Sequence, residues 1–342
     1  VALPDTPARS TALHRALGEL AGGPEGCPGD VLAERADGVV VRVGDRVAKA
    51  HAPDADVGPL DVRLRVAAAA AYRGVLLPPA SDGGTVALSN GRIASVWPYG
   101  TPVDPGDAAA APWEAAGALL ARLHTAPLPP ATQLPGPLPP MRGPTKAARA
   151  LARMRSAPQG SHAAAADVVE RAWAVLPPWC RDEEPPPDAR TLCHGDFHLG
   201  QLVRYPRPDG PWQLIDVDDL GLGDPAWDLA RPAAWYAAGM LPTAEWQRFL
   251  GAYARTARAA LPARTVRTAR ADGVPYGLAG PDPWPYLDAP ARALTVQGAA
   301  LGVAKARTEG RSLDEAEEAC VAACARIAAL FERGELPTPQ GS

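Results

Sequence analysis

Cysteine and lysine are scarce in this chain, and positive charge is not in surplus. Five cysteines (Cys27, Cys180, Cys193, Cys320 and Cys324) form no CxxC pair, which excludes a disulfide framework and a structural zinc site built on such pairs. Cys320 and Cys324 stand four apart on one helix face, where small buried residues are a simpler reading than a metal clasp. With 34 basic against 38 acidic residues the net charge is -4, so the electrostatic footprint of a nucleic-acid binder is missing and no such partner is expected. No run approaches the ~20 apolar residues that span a bilayer, and no basic start leads into an apolar stretch. A soluble, cytoplasmic protein without a membrane partner is expected. Only Lys49, Lys146 and Lys305 are lysines, against 31 arginines (34 − 3 = 31), so each lysine is easy to weigh.

What is present suffices for a folded enzyme. Hydrophobic residues make up 47% and charged residues 21%, a globular composition, and 342 residues exceed one ordinary core, so two lobes are expected. Residues 1–28 read as a short helix and brace, with Leu13, Leu17 and Leu20 at helical spacing. Residues 29–99 read as a small β-rich lobe. Its strands Val31–Ala33, Val39–Val43 and Val47–Ala50 are joined at Ala36-Asp37-Gly38 and Gly44-Asp45, a helix follows over 60–73, and a further hairpin turns at Asn90-Gly91. Residues 100–342 turn helical, starting with Pro112 to His124. Proline clusters at 127–140, 177–187 and 275–290 read as surface connections. A capping box of Ser312 and Glu315 is expected to open a last helix running to about Arg333.

The chemistry lies in residues 192–230, LCHGDFHLGQLVRYPRPDGPWQLIDVDDLGLGDPAWDLA. Asp196 sits in His194-Gly195-Asp196, five residues before the amide Gln201, and Asp216 follows the apolar strand Trp212 to Ile215. That pattern suits phosphoryl transfer. A base must sit beside an acceptor hydroxyl, while an amide oxygen and a carboxylate from neighbouring strand ends hold the magnesium that neutralises phosphate charge.

Three ordered blocks resemble the aminoglycoside phosphotransferase family, whose members look like protein kinases. HGDFHLGQ is similar to its catalytic loop, in a form that also looks like the maltokinase branch; IDVDD is similar to its metal-binding segment, and GDPAWDLA to the segment beyond. The resemblance spans about residues 30–260. It implies an α+β, bilobal kinase-like fold with a small β-rich N-lobe and a larger, mainly helical C-lobe, using ATP and Mg. By position it implies that Asp196 is the catalytic base and that Asp216 and Gln201 are metal ligands. Asp218 is either a second-metal ligand or a turn cap, and His198 a structural prop or a substrate contact. His194 and Asp228 would tie the loop backbone by hydrogen bonds. Lys49, on the third strand, would hold the α- and β-phosphates. Asp37 and Gly38 would cover the nucleotide in a turn without GxGxxG, and Trp97 to Tyr99 and Gly100 would form the hinge that receives the purine edge. The family's lysine-pairing glutamate is missing, because no glutamate lies between Glu34 and Glu114. Either Asp61, the carboxylate on the first-lobe helix and equally a helix-start charge favoured by the dipole, substitutes, or another acid approaches from the sheet, or Lys49 is less firmly positioned.

The implied activity is transfer of the γ-phosphate of ATP to a hydroxyl of a small-molecule acceptor: a sugar, aminosugar or aminoglycoside-like compound. Two rivals stand beside it: a kinase of Ser/Thr hydroxyls in a lanthipeptide-type precursor peptide, and a nucleotide-binding pseudokinase, which the missing glutamate motivates. An aminoglycoside kinase would have an acidic pocket. Trp235, Tyr236, Tyr276, Trp284 and Tyr286 would either stack on an acceptor or be buried.

Overall fold

The computed structural model describes residues 6–35, 37–80, 84–158, 160–187, 189–260 and 282–335. Ala36 and Tyr276, and the part of the third proline cluster before residue 282, lie outside these residues. Contacts divide the chain into two compact units, one within Val1–Ala111, Ala126–Pro139 and Leu199–Asp218, the other within Pro112–Thr125, Pro140–His198 and Asp219–Ser342. The segments expected at 1–28, 29–99 and 100–342 are contiguous, whereas these units interleave.

The first unit opens with α1 (Thr6–Leu20), then β1 (Asp30–Arg35), β2 (Gly38–Val43) and β3 (Arg46–Ala50). α2 (Val57–Ala68), β4 (Val86–Ala87), β5 (Ile93–Pro98) and β6 (Thr101–Pro102) follow. Five strands form one antiparallel sheet in the order β1-β2-β3-β5-β4. Strand alternation sorts its side chains. Val39, Val41, Ala48, Ala50 and Ala94 pack with Leu13 and Leu17 of α1, so the expected brace covers one face of the sheet. Val47, Lys49 and His51 therefore point to the other face, where Trp97 stands opposite Val47 and Ser95 opposite Lys49. α2 starts at Asp56, whose side chain accepts from the Gly58 N–H and so satisfies one of the free amides at a helix start.

The second unit holds α3 (Trp113–Thr125), α4 (Gly143–Ser156), α5 (Ala163–Ala174) and β7 (Thr191–Cys193). The chain then returns to the first unit for β8 (Leu202–Arg204) and β9 (Trp212–Leu214). These pair with β6 in the order β6-β8-β9, and Leu77 N–H donates to Leu214 O at 2.9 Å. That hairpin and the segment Ala126–Pro139, both in the first unit, are why one cut near residue 100 does not describe the contacts. Back in the second unit are β10 (Gly221–Gly223), which pairs with β7, and α6 (Ala226–Ala237), α7 (Thr243–Ala260), α8 (Trp284–Glu309) and α9 (Glu315–Glu332).

Two expectations at the C-terminal end change. α9 is capped by Asp314, which accepts from the Glu317 N–H while Glu317 accepts from the Asp314 N–H; the box expected from Ser312 and Glu315 lies two residues further on, because Asp is as good a cap as Ser. Pro285 and Pro290 are not in a surface connection but in α8, Pro285 in the first turn, where a missing N–H costs nothing, and Pro290 buried inside the helix. α3 and α7 pack so closely at Gly117 that a Cβ there would lie 2.2 Å from Phe249 O. No helix among the described residues is long and apolar enough to cross a membrane.

Candidate active site

In the first unit the residues gather around Lys49. Its ammonium bonds to Asp216 Oδ1 at 2.5 Å and lies 3.0 Å from Asp218 Oδ2. Burial alone would lower its pKa, but the two carboxylates outweigh burial and raise it, so the lysine is firmly charged. Asp61 does not reach this role. It accepts from Thr85 Oγ1 at 3.0 Å, and Asp216 and Asp218 supply the counter-charge that the missing glutamate would give.

Asp218 is held in turn by His51, which the sequence reading did not single out. His51 is 1% exposed, with Nδ1 3.0 Å from Asp218 Oδ2 and Nε2 2.7 Å from Ser95 Oγ. An ionised carboxylate only accepts, so Nδ1 carries a proton and donates it to Asp218. Ser95 Oγ receives the Trp97 indole N–H at 2.8 Å and is free to give its own proton to Nε2. Burial would raise the Asp218 pKa, yet Lys49 and His51 pull it well below the usual carboxylate range. Asp218 is thus a built counter-ion rather than a turn cap.

Gln201 Nε2 donates to Asp216 Oδ2 at 3.1 Å. Asp216 adopts a left-handed backbone with φ 63°, a strained conformation that persists where the surroundings over-determine it. Two carboxylates and an amide oxygen are hard donors of the kind Mg²⁺ takes, and the Asp216 side chain keeps 35% exposure. The set fits that ion. Of the other expected nucleotide residues, Gly38 lies beside Lys49, whose Cε would be 3.9 Å from an added Cβ. Asp37 is in the exposed turn before β2. Trp97 is buried in β5, and the Tyr99 N–H donates to Asp45 O at 2.7 Å, with Arg42 3.5 Å above the Tyr99 ring. That amide is already spent.

In the second unit, β7 delivers the loop His194–His198 and α6 anchors it. Asp228, fully buried in the first turn of α6, accepts from the His194 and Gly195 N–H groups at 2.6 and 2.8 Å and pairs with His124 Nε2 at 2.9 Å. His124 Nδ1 lies 2.9 Å from the Tyr253 hydroxyl. Cys193 completes a buried trio with His124 and Asp228, but burial pushes its thiol up and Asp228 is committed to hydrogen bonds, so the trio is an anchor. Gly195 has φ 85°, and a Cβ there would lie 2.3 Å from Asp219 O; only glycine fits. Asp228→Ala would strand two buried amides and a histidine, for an expected loss of about 3–5 kcal/mol of stability. Urea unfolding measures this, and an unchanged midpoint would contradict the anchor.

The anchored loop presents Asp196 between two cations. Lys146 of α4 bonds Asp196 Oδ2 at 2.6 Å and Asp219 Oδ2 at 2.8 Å, and Arg231 of α6 bonds Asp196 Oδ1 at 2.7 Å. Arg231 Nε also donates to Phe197 O. Burial would raise the Asp196 pKa, but Lys146 and Arg231 outweigh it and lower the value, with His198 adding to the same effect. Lys146 and Arg231 escaped the sequence reading, although Lys146 is one of only three lysines and that rarity marked it. Of the aromatics, Tyr236 stacks on Trp246 and on Trp284 at 5.5 and 6.3 Å, while Tyr286 is exposed.

Comparisons with known proteins bear on the fold and the family. Solved structures with similar folds include a choline/ethanolamine kinase family protein from Mesorhizobium loti (TM-score 0.52, 17% identity, 96% of each chain). A Plasmodium vivax ethanolamine kinase (0.50, 12%, 89% of this chain and 83% of that one) is another. A thermostable mutant of aminoglycoside phosphotransferase APH(4)-Ia in ternary complex with AMP-PNP and hygromycin B (0.50, 16%, 87% and 92%) is a third. These share the α+β kinase-like fold. A search of curated proteins gives no significant match. The model of the phosphotransferase enzyme family matches residues 39–267 of the 342; the chain belongs to that family, and phosphoryl transfer to a hydroxyl group is its class of chemistry.

Proposed function

We propose that this chain transfers the γ-phosphoryl group of ATP to a hydroxyl of a small-molecule acceptor. The observation that carries the reading is the pair of built clusters, Lys49 with Asp216 and Asp218, and Asp196 on a loop fixed by Asp228 and Arg231. Lys49 binds the α- and β-phosphates. Asp216 and Gln201, with Asp218 beside them, would hold Mg²⁺, which when bound neutralises phosphate charge. Asp196 accepts a hydrogen bond from the acceptor hydroxyl and orients its oxygen in line with the phosphoryl group. Because Lys146 and Arg231 lower its basicity, Asp196 positions the hydroxyl first and takes the proton late, which a loose phosphoryl-transfer transition state allows. The test is incubation with Mg²⁺-ATP and a mixture of hydroxylated small molecules, read by mass spectrometry. A species gaining one phosphoryl group is expected; ATP binding with no product from any acceptor would count against the reading.

A further inference from the structure

Within the first unit, a lysine and a histidine converge on one carboxylate. Alternation puts Lys49 of β3 and His51, just past its end, on one face, and Asp218 Oδ2 meets the Lys49 ammonium and the His51 Nδ1 at 3.0 Å each. Nδ1 also lies 3.1 Å from Asp218 Oδ1, so the ring spans both oxygens. The backbone of His51 is held on both sides. Its N–H donates to Ile93 O at 2.8 Å, and its carbonyl accepts from Arg92 Nε at 3.0 Å. A buried ring clamped in this way has little freedom to turn elsewhere.

The order of donors is set from both ends. An indole N–H only donates and an ionised carboxylate only accepts; in a neutral imidazole one nitrogen donates and the other accepts. The chain therefore runs from Trp97 Nε1 to Ser95 Oγ at 2.8 Å, from Ser95 Oγ to His51 Nε2 at 2.7 Å, and from His51 Nδ1 to Asp218. A second-layer partner of this kind fixes which nitrogen carries the proton. The two acids then divide their work. Asp216, the acid assigned to Mg²⁺, keeps 35% side-chain exposure against 23% for Asp218, and Asp218 is the one occupied by both Lys49 and His51. A ring present only to fill space needs no donor, and phenylalanine would serve in its place.

We infer that His51 is a positioning residue of the proposed transfer: its Nδ1–H locks Asp218 onto Lys49, the task of the absent helix glutamate, and leaves Asp216 and Gln201 to the metal. This rests on Lys49 as the phosphate-binding cation and deepens that reading by naming what holds the lysine in place.

The test titrates Mg²⁺-ADP, which carries the two phosphates assigned to Lys49, into the full chain by calorimetry. His51→Phe keeps a ring and removes the donor, and its affinity is expected to fall about tenfold, the scale of one hydrogen bond to a charged group. His51→Asn, whose amide nitrogen is also bonded to Cγ and donates, is expected to recover to within about threefold of wild type. In a Lys49→Met background His51→Phe should cost nothing further, because the histidine acts through the lysine. NMR of histidine-labelled wild type should show a proton on His51 Nδ1, its resonance assigned by its loss in His51→Phe. Should His51→Phe not fold, Ser95→Ala, which withdraws the partner of Nε2 and loosens the ring, is expected to weaken binding by about threefold or more. Wild-type affinity in the variant tested, equal losses in Phe and Asn, an undiminished effect in the Lys49→Met background, or a bare Nδ1 would each overturn the inference. Lys49→Met that binds Mg²⁺-ADP as the wild type does, with the Nδ1 proton present, would instead contradict the phosphate role of Lys49 while leaving the hold of His51 on Asp218 standing.

Discussion

Asp196→Asn is expected to lower kcat by about 10²–10⁴-fold, the range for removing a positioned base, while Mg²⁺-ATP binding stays intact. The substitution keeps the side chain's shape but removes one acceptor oxygen and the charge facing Lys146 and Arg231. Nucleotide affinity is assigned to the other cluster, so the two readouts separate. The pH dependence carries a sign. The Asp196 pKa is lowered, so the wild-type base is ionised throughout the neutral range and no acid limb from this group should lie above the ordinary carboxylate pKa of about 3.9. Lys146→Met removes one of the cations and should raise the limb. The same linkage bears on stability: a carboxylate with a depressed folded-state pKa stabilises the fold above its unfolded pKa, and that contribution is lost as pH falls through the folded value. A limb that does not move in Lys146→Met would contradict the cationic setting of the base.

The second large effect is expected at Lys49. Lys49→Met should cost about 10²–10³-fold in kcat/KM for ATP, the scale for losing one charged donor to a developing anion. Asp218→Asn should act in the same direction, because Asp218 and Asp216 are what hold the lysine. Asp61→Asn provides the contrast. Its carboxylate bonds to Thr85, so steady-state kinetics should remain within about twofold of wild type, the scale of a surface substitution. A loss at Asp61 equal to that at Asp218 would show that α2 positions the lysine after all.

The strands around Lys49 were legible because alternation and turn residues are local signals: β1 to β3 and the hairpin of β4 and β5 follow the runs at Val39–Val43, Val47–Ala50 and Ile93–Trp97. The loop chemistry was legible because its residues cluster between 192 and 230. What was hidden is pairing across long separations. His51 meets Asp218 across 167 residues and Lys146 meets Asp196 across 50, and nothing at helix or strand period links them. The missing glutamate was a true absence in the sequence, yet its counter-charge comes from Asp216 and Asp218, which meet Lys49 from far along the chain. The cap of α9 shows a smaller limit: Ser312 and Asp314 are both good caps, and only the backbone tells them apart.

The most direct measurement of the central claim is the fate of a label placed in the γ-phosphoryl group of ATP, followed in wild type and in Asp196→Asn with Mg²⁺ and an acceptor mixture. The expected result is label in an organic phosphate ester, formed one for one with ADP and absent in the variant, with ATP affinity equal in both proteins. Label that stays in ATP or appears only as inorganic phosphate, to the same extent in both proteins, would contradict it and mark the chain as a nucleotide binder.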